Sequence, residues 1–294
     1  MSLNKPIWKL RDWIDIDKLE LSQLSENKNG ISFIEANKSK IDWYYLSLNE
    51  NAIEMLSENW DKINWNLLSK NKNAIKLIEK NLDKINWAFL SANENAIKLL
   101  EDNEEHILWR WFSINPNSIE LLEKNPDKIN WTFLSANING IKLLEKNQDK
   151  IDWYYLSANI NAIQLLEKNP DKIYWPNLSI NSNAIELLEK NPDKIDWSNL
   201  SLNPNAIHLL EKNLDKINWY YLSSNPNALE LLEKNKNKIN WFTFSRNPSI
   251  FELDYEAMKI NNLDIYDDLI KEVMKPSRVF KNPDYDYIEV LFGD

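Results

Sequence analysis

A tryptophan returns every 22 residues along most of this chain: Trp43, Trp65, Trp87, Trp109, Trp131, Trp153, Trp175, Trp197, Trp219 and Trp241. Leu21 holds the same register one step earlier, so eleven tandem copies follow a consensus of W-x-x-L-S-x-N-x-N-A-I-x-L-L-E-K-N-x-D-K-I-(N/D). A unit this short cannot bury its own apolar face. It has to stack on its neighbours, which is the logic of a solenoid.

Within each copy the apolar spacing is three and four, as in Ala206, Ile207, Leu209 and Leu210, which predicts a helix and argues against a β-solenoid of period two. Asn203 is the expected N-cap, since its side chain can accept a bond from an unpaired backbone N–H. Pro116, Pro204, Pro226 and Pro248 would then sit at the first helical position, where a missing N–H costs nothing. The recurring Asn at the far end, such as Asn125, Asn169 and Asn213, predicts a left-handed C-cap in the absence of Gly. Pro126, Pro170 and Pro192 follow that Asn and end the helix. A second, shorter segment, W-x-x-L-S, carries its own N-cap signal in Asn64, Asp152 and Asp196.

The expected fold is all-α: an α-solenoid of about eleven repeats, each one short α-helix plus a shorter α- or 3₁₀-helix. Residues 1–18 are expected to form an N-terminal cap, with Trp8 and Trp13 out of register. Residues 19–253 make the solenoid, its first and last repeats degenerate, and residues 254–294 an acidic helical cap or tail. A helix is expected around Asp264 to Met274, and an apolar ending at Tyr287 to Phe292. With helices about 8–10 Å apart, such an array would run as a rod or arc on the order of 100 Å along its curve.

Composition narrows the function classes. The chain has no cysteine, which excludes disulfides, a thiolate nucleophile and a Cys-based zinc site. A formal net charge of −10 argues against a nucleic-acid partner held through its phosphates. With three glycines there is no Gly-rich phosphate loop. His106 and His208 are more than four repeats apart, with no second ligand beside either. No apolar run of 18 residues suggests a membrane span. No catalytic residue, metal, cofactor or small-molecule substrate is therefore expected, and the expected setting is intracellular.

Recurring positions read as structural: the Trp column as repeat core, Ser47 and Asn49 with their equivalents as local caps and cross-links. Recognition should lie where repeats differ. The two positions after each Trp vary most in chemistry, and the candidates there are Tyr44, Tyr45, Phe89, Arg110, Trp111, Phe133, Tyr154, Tyr155, Tyr220 and Tyr221. Aromatic residues and Arg are frequent interface anchors. Two readings stand: an exposed row suited to a protein partner, or packing between repeats, with the second residue of each pair favouring the core. The run Glu104-Glu105-His106-Ile107-Leu108-Trp109-Arg110-Trp111 departs from the consensus; a local hot spot and simple drift both account for it.

The NPNAIxLLEKNPDKIxWxxLS unit, preceded by WKLRDWIDI, resembles tandem-repeat proteins of giant DNA viruses that infect amoebae, of the mimivirus and megavirus kind. The resemblance covers roughly residues 7–253. It implies a viral protein working in the host cytoplasm or viral factory, and it carries no catalytic residues. The expectation is a non-catalytic scaffold binding a host or viral protein. A self-associating structural component of the virus is the alternative, and a modular nucleic-acid reader the third.

Overall fold

The computed structural model describes residues 6–37, 41–260 and 271. The described residues fall into two compact bodies, one within residues 11–251 and the other made of residues 6–10 together with those from 252 onward.

The larger body is an all-α repeat array. We number its repeats 1 to 11 from Leu21 and the ten Trp that follow. Each repeat opens with a Trp helix of four to six residues, for example Trp131–Ala136, and continues through an N-x-N turn into a Leu helix, for example Ile141–Lys146. A three-residue 3₁₀ turn such as Gln148–Lys150 then leads into the next Trp helix. Repeat 1 follows the same plan, with Leu21–Leu24 and Ile31–Ala36.

The core consists of columns, one residue per repeat. The residue three after each Trp is fully buried throughout, Leu134 and Phe112 among them, as are Leu144 and its equivalents in the Leu helix. Burying one such side chain contributes about 1.5–3 kcal/mol, which holds helices that would be marginal alone at this length.

A polar lattice runs between these apolar columns. Every Ser four residues after the Trp is buried. The Ser135 hydroxyl donates to the Trp131 carbonyl at 2.8 Å and accepts the Asp152 N–H of the next repeat at 3.0 Å. The first Asn of the N-x-N turn is equally buried. Asn137 donates its side-chain amide to the carbonyls of Ser113 and Asn115 in the preceding repeat, at 3.0 and 2.7 Å, and its oxygen accepts the Asn139 N–H at 2.9 Å. Both amide hydrogens and the oxygen therefore have a partner, as burial requires.

The local geometry departs from the sequence reading at four places, the first being that Pro116, Pro204 and Pro226 lie in the N-x-N turn, three residues before the helices that start at Ile119, Ile207 and Leu229, and not at the first helical position. The Leu helix of repeat 9 is Ile207–Glu211, capped by Ala206 without a side-chain bond, so Asn203 does not cap it. Asn203 closes the turn before it, accepting the Asn205 N–H, while its amide reaches back to Ser179 and Asn181. The Asn after the Leu helix is not left-handed: Asn213 has φ −138° and ψ 52°, and no non-glycine residue has positive φ among the described residues. Its amide donates to the Leu209 carbonyl at 2.9 Å, satisfying an orphan acceptor of the last turn without any αL residue. Pro126, Pro170 and Pro192 occupy the first position of the 3₁₀ turns, so they begin one element as much as they end another.

The expected rod or arc is replaced by a closed ring. Repeat 1 docks on repeat 11 through the contacts that join every neighbouring pair. Glu20 N–H donates to Ser245 Oγ at 2.9 Å, and the Asn27 amide donates to the carbonyls of Ser245 and Asn247 at 3.0 and 2.9 Å. The Asn29 amide reaches the Pro248 carbonyl, and Arg246 pairs with Glu26 at 3.5 Å. Eleven repeats thus share a full turn, about 33° each. The boundary expected at residues 18/19 moves with this closure. The turn Ile16–Lys18 holds the register of Pro126–Lys128, and Trp13 packs on Phe244 with centroids 5.8 Å apart, so residues 11–18 belong to the ring.

In the second body, Trp8–Leu10 pairs with the strand Phe251–Leu253, Asp254 N–H donates to the Ile7 carbonyl at 2.8 Å, and Lys9 lies 3.6 Å from Glu252. The helix expected around Asp264 to Met274 and the apolar ending at Tyr287 to Phe292 lie outside the described residues, apart from Lys271.

Candidate functional site: an aromatic surface on the Trp helices

Each Trp helix buries its third and fourth residues after the Trp and leaves two columns facing outward. The first residue after the Trp is the open one: Tyr44 is 52%, Tyr154 49% and Tyr220 48% exposed, and Arg110 is exposed as well. The second is more covered, buried at Leu67 and Thr243 and half-buried at most other repeats, with Tyr155 at 40% the exposed exception. Phe89, Trp111, Phe133 and Tyr155 stack in sequence across four repeats, with centroids 6.3, 5.2 and 6.4 Å apart. Where this column is polar it bonds instead: Asn177 donates to the Tyr154 carbonyl, Asn199 to Pro176 and Thr243 to Tyr220, at 2.7, 3.0 and 2.9 Å. The two sequence readings therefore divide largely by column, the large residues of the first standing open and those of the second packing between repeats, except at Tyr155, which is open as well. The pairs remain in contact, with Tyr44–Tyr45 and Tyr154–Tyr155 centroids 5.2 Å apart and Tyr220–Tyr221 5.6 Å. The Arg110 guanidinium lies over Phe133 at 4.9 Å.

The Trp column itself sits shallower than the repeat core predicted for it. All ten, from Trp43 to Trp241, are half-buried. In nine of the ten a cation lies over the ring. The Lys of each D-K-I turn folds over the Trp nineteen residues before it, as Lys128 does over Trp109 and Lys150 over Trp131, both at 4.5 Å. Lys18 over Trp241, at 5.3 Å, continues the series across the ring seam. One side of each of these indoles is therefore apolar and the other faces an ammonium that must stay wet. His106 occupies the Lys position in repeat 4 and stacks on Trp87 at 4.4 Å. His208 bridges to Glu189 at 3.0 Å.

Sequence reasoning read the residue before each Trp only as an N-cap, as in Asn64, Asp152 and Asp196, and not as part of a surface. It belongs to the same surface: Asn86 donates to Asn66 Oδ1 at 3.2 Å and Tyr174 packs on Tyr154 at 4.7 Å, each joining it to the column after the preceding Trp. Eight of the ten Trp helices carry an Asn or Asp there whose side chain caps the helix. Leu108 and Tyr174 take that place in the other two, without a cap bond. Those two breaks in the Asn/Asp column are visible in the sequence and were the available signal.

A second, concave stretch runs along the Leu helices, where Ile119, Ile141 and Glu145 line one part and His208, Glu211 and Glu233 another. Among the described residues no three His, Asp or Glu side chains gather as a metal-binding group, and no helix is long and apolar enough to cross a membrane. Compared with known protein families, curated proteins and solved structures, the chain matches none.

Proposed function

We propose that this protein is a non-catalytic ring scaffold that binds a protein partner through the aromatic surface of its Trp helices. The observation that carries the reading is the contrast between columns. Ser, Asn and Leu positions repeat and are committed to the frame, while the first position after each Trp varies freely and exposes Tyr44, Tyr154, Tyr220 and Phe242. Large side chains of this kind, scattered over a rigid frame, lose little entropy on binding and make effective anchors. We further propose a giant-virus origin, from the repeat motif, with a host or viral protein as the partner in the host cytoplasm or viral factory.

Ring closure occupies both ends of the repeat array, which weighs against end-to-end growth into a fibre, and the acidic balance weighs against nucleic acid. The test is capture of partners from infected host lysate by the protein and by the triple variant Tyr44→Ser, Tyr154→Ser, Tyr220→Ser. Loss of one saturable partner with an unchanged melting temperature is expected. Undiminished capture, or a variant that melts early, would show these side chains to be packing and not recognition.

A further inference from the structure

We infer that one arc of this surface, from Lys70 to Tyr174, is the docking site, and that its occupant is an extended acidic peptide segment bearing apolar side chains. The inference rests on the scaffold reading above and adds where the partner sits and what its chemistry is.

The arc is singled out by what its sequence gives up. Leu108 and Tyr174, the only two Trp-helix starts without a side-chain cap, both lie on it and are 46% and 44% exposed. Each exchanges a stabilising N-cap for an apolar group that stays nearly half exposed; Tyr174 recovers part of the loss by packing on Tyr154 at 4.7 Å. Local rules broken without full structural compensation mark functional positions. Leu108 starts the helix that carries Trp111, within the aromatic row from Phe89 to Tyr155, and Tyr174 extends the row at its far end through Tyr154, at 4.7 and 5.2 Å.

Charge identifies the occupant. In the columns directly before and after each Trp the charged residues of this arc are Arg110 and Asp152, and Lys70, the exposed residue that follows the buried Ser69, reaches the same row. Lys70 stands over Phe89 at 4.1 Å and Arg110 over Phe133 at 4.9 Å. The Asp152 carboxylate is engaged in capping, accepting the Tyr155 N–H at 3.3 Å. On a chain with net charge −10, this strip offers two cations seated on aromatic rings. A segment with alternating acidic and apolar residues would satisfy both features, since successive side chains of an extended strand face opposite ways. The arc crosses five repeat steps at about 8–10 Å each, roughly the 40 Å that about twelve extended residues reach.

The experiment uses the full chain and a fluorescein-labelled peptide of about twelve residues alternating Asp or Glu with Leu and Tyr. Its comparators are the same peptide with Lys in place of the acids, and an oligouridylate of matched length. The decisive variant is Leu108→Asn with Tyr174→Asn, which restores both caps and leaves the charge unchanged. Fluorescence anisotropy should show binding of the acidic peptide that weakens as salt is raised, and a loss of at least about tenfold in affinity in the double variant. The same variant should melt higher, by roughly 2–4 °C per cap regained, so lost binding could not be blamed on misfolding. Wild-type affinity in the double variant would overturn the inference, as would equal binding of the basic peptide. Tighter binding of the oligouridylate would overturn it in favour of nucleic acid. If the arc variant still binds while Tyr44→Ser and Tyr220→Ser do not, the arc is wrong and the scaffold reading stands. If neither peptide binds and the aromatic triple variant also captures its partner normally, both fall.

Discussion

Asn137 and Asn139 are two residues apart, and both donate a side-chain amide to the preceding repeat. Their surroundings differ. Asn137 is 1% exposed and holds the carbonyls of Ser113 and Asn115, whereas Asn139 is exposed and holds only the Pro116 carbonyl at 2.9 Å. Removing the first leaves buried acceptors unpaired, each costing about 1–3 kcal/mol; removing the second lets water replace the bond, at about 0.5–1.5 kcal/mol or less. We therefore predict that Asn137→Ala destabilises the protein several times more than Asn139→Ala in urea unfolding. Equal effects would mean that the buried lattice is not what couples the repeats. The repeat register marks both positions as recurring, the first Asn in all eleven repeats and the second in all but the last, where Ser249 stands; burial is what separates them energetically. An ion pair at the neighbouring position is a surface matter. Lys72 lies between Glu50 and Glu94 at 3.5 and 3.1 Å, and its hydrogen bond to Glu94, followed by the charges of both carboxylates, raises its pKa above the ordinary lysine value. Its contribution is present at neutral pH and disappears only as pH climbs past the lysine range.

At the scale of elements, the joint between one Trp helix and the turn leading to the next is a Lys laid over an indole. Lys128→Met keeps most of the packing and loses the charge, so it should cost about 0.5–1 kcal/mol. Repeat 4 makes this joint with His106, whose ring stacks on Trp87. His106→Lys should accordingly stabilise the protein at neutral pH by an amount of the same order. Paired thermal melts of the two variants test both statements, and a neutral Lys128→Met would show that the ammonium is only a bystander over the ring. These joints were not legible beforehand. The D-K-I motif shows that a Lys recurs, but the nineteen-residue reach to a Trp follows from how the Leu helix folds the chain back. The helices themselves were half legible. Their existence follows from apolar spacing, whereas their start does not, because Asn203 had a competing use in the lattice that no local propensity could reveal.

For the ring as a whole, closure predicts a distance. The cysteine-free chain allows two labels to be placed uniquely. Spin labels at Lys28→Cys and Pro248→Cys should report the same separation as labels at Lys28→Cys and Glu50→Cys, since Asn29 reaches Pro248 as Asn51 reaches Lys28, at 3.0 and 2.8 Å. An open arc would place the first pair tens of ångströms apart at about 8–10 Å per repeat, and a distance of that kind by pulsed dipolar spectroscopy would rule the ring out.

By itself the sequence determined the helical class, the repeat length and the residues committed to the frame, because periodicity, capping chemistry and apolar spacing act within one repeat or between adjacent ones. It also marked the columns where repeats vary. Tertiary structure alone decided that the array closes, that the first aromatic column stands more open than the second, and that the Trp column is a half-buried joint covered by a Lys in nine repeats and by His106 in one. Each of these depends on the small rotation between neighbouring repeats. That rotation is a balance of packing on two sides of a thin solenoid, and a few degrees per repeat, summed over eleven, separate a ring from an open arc.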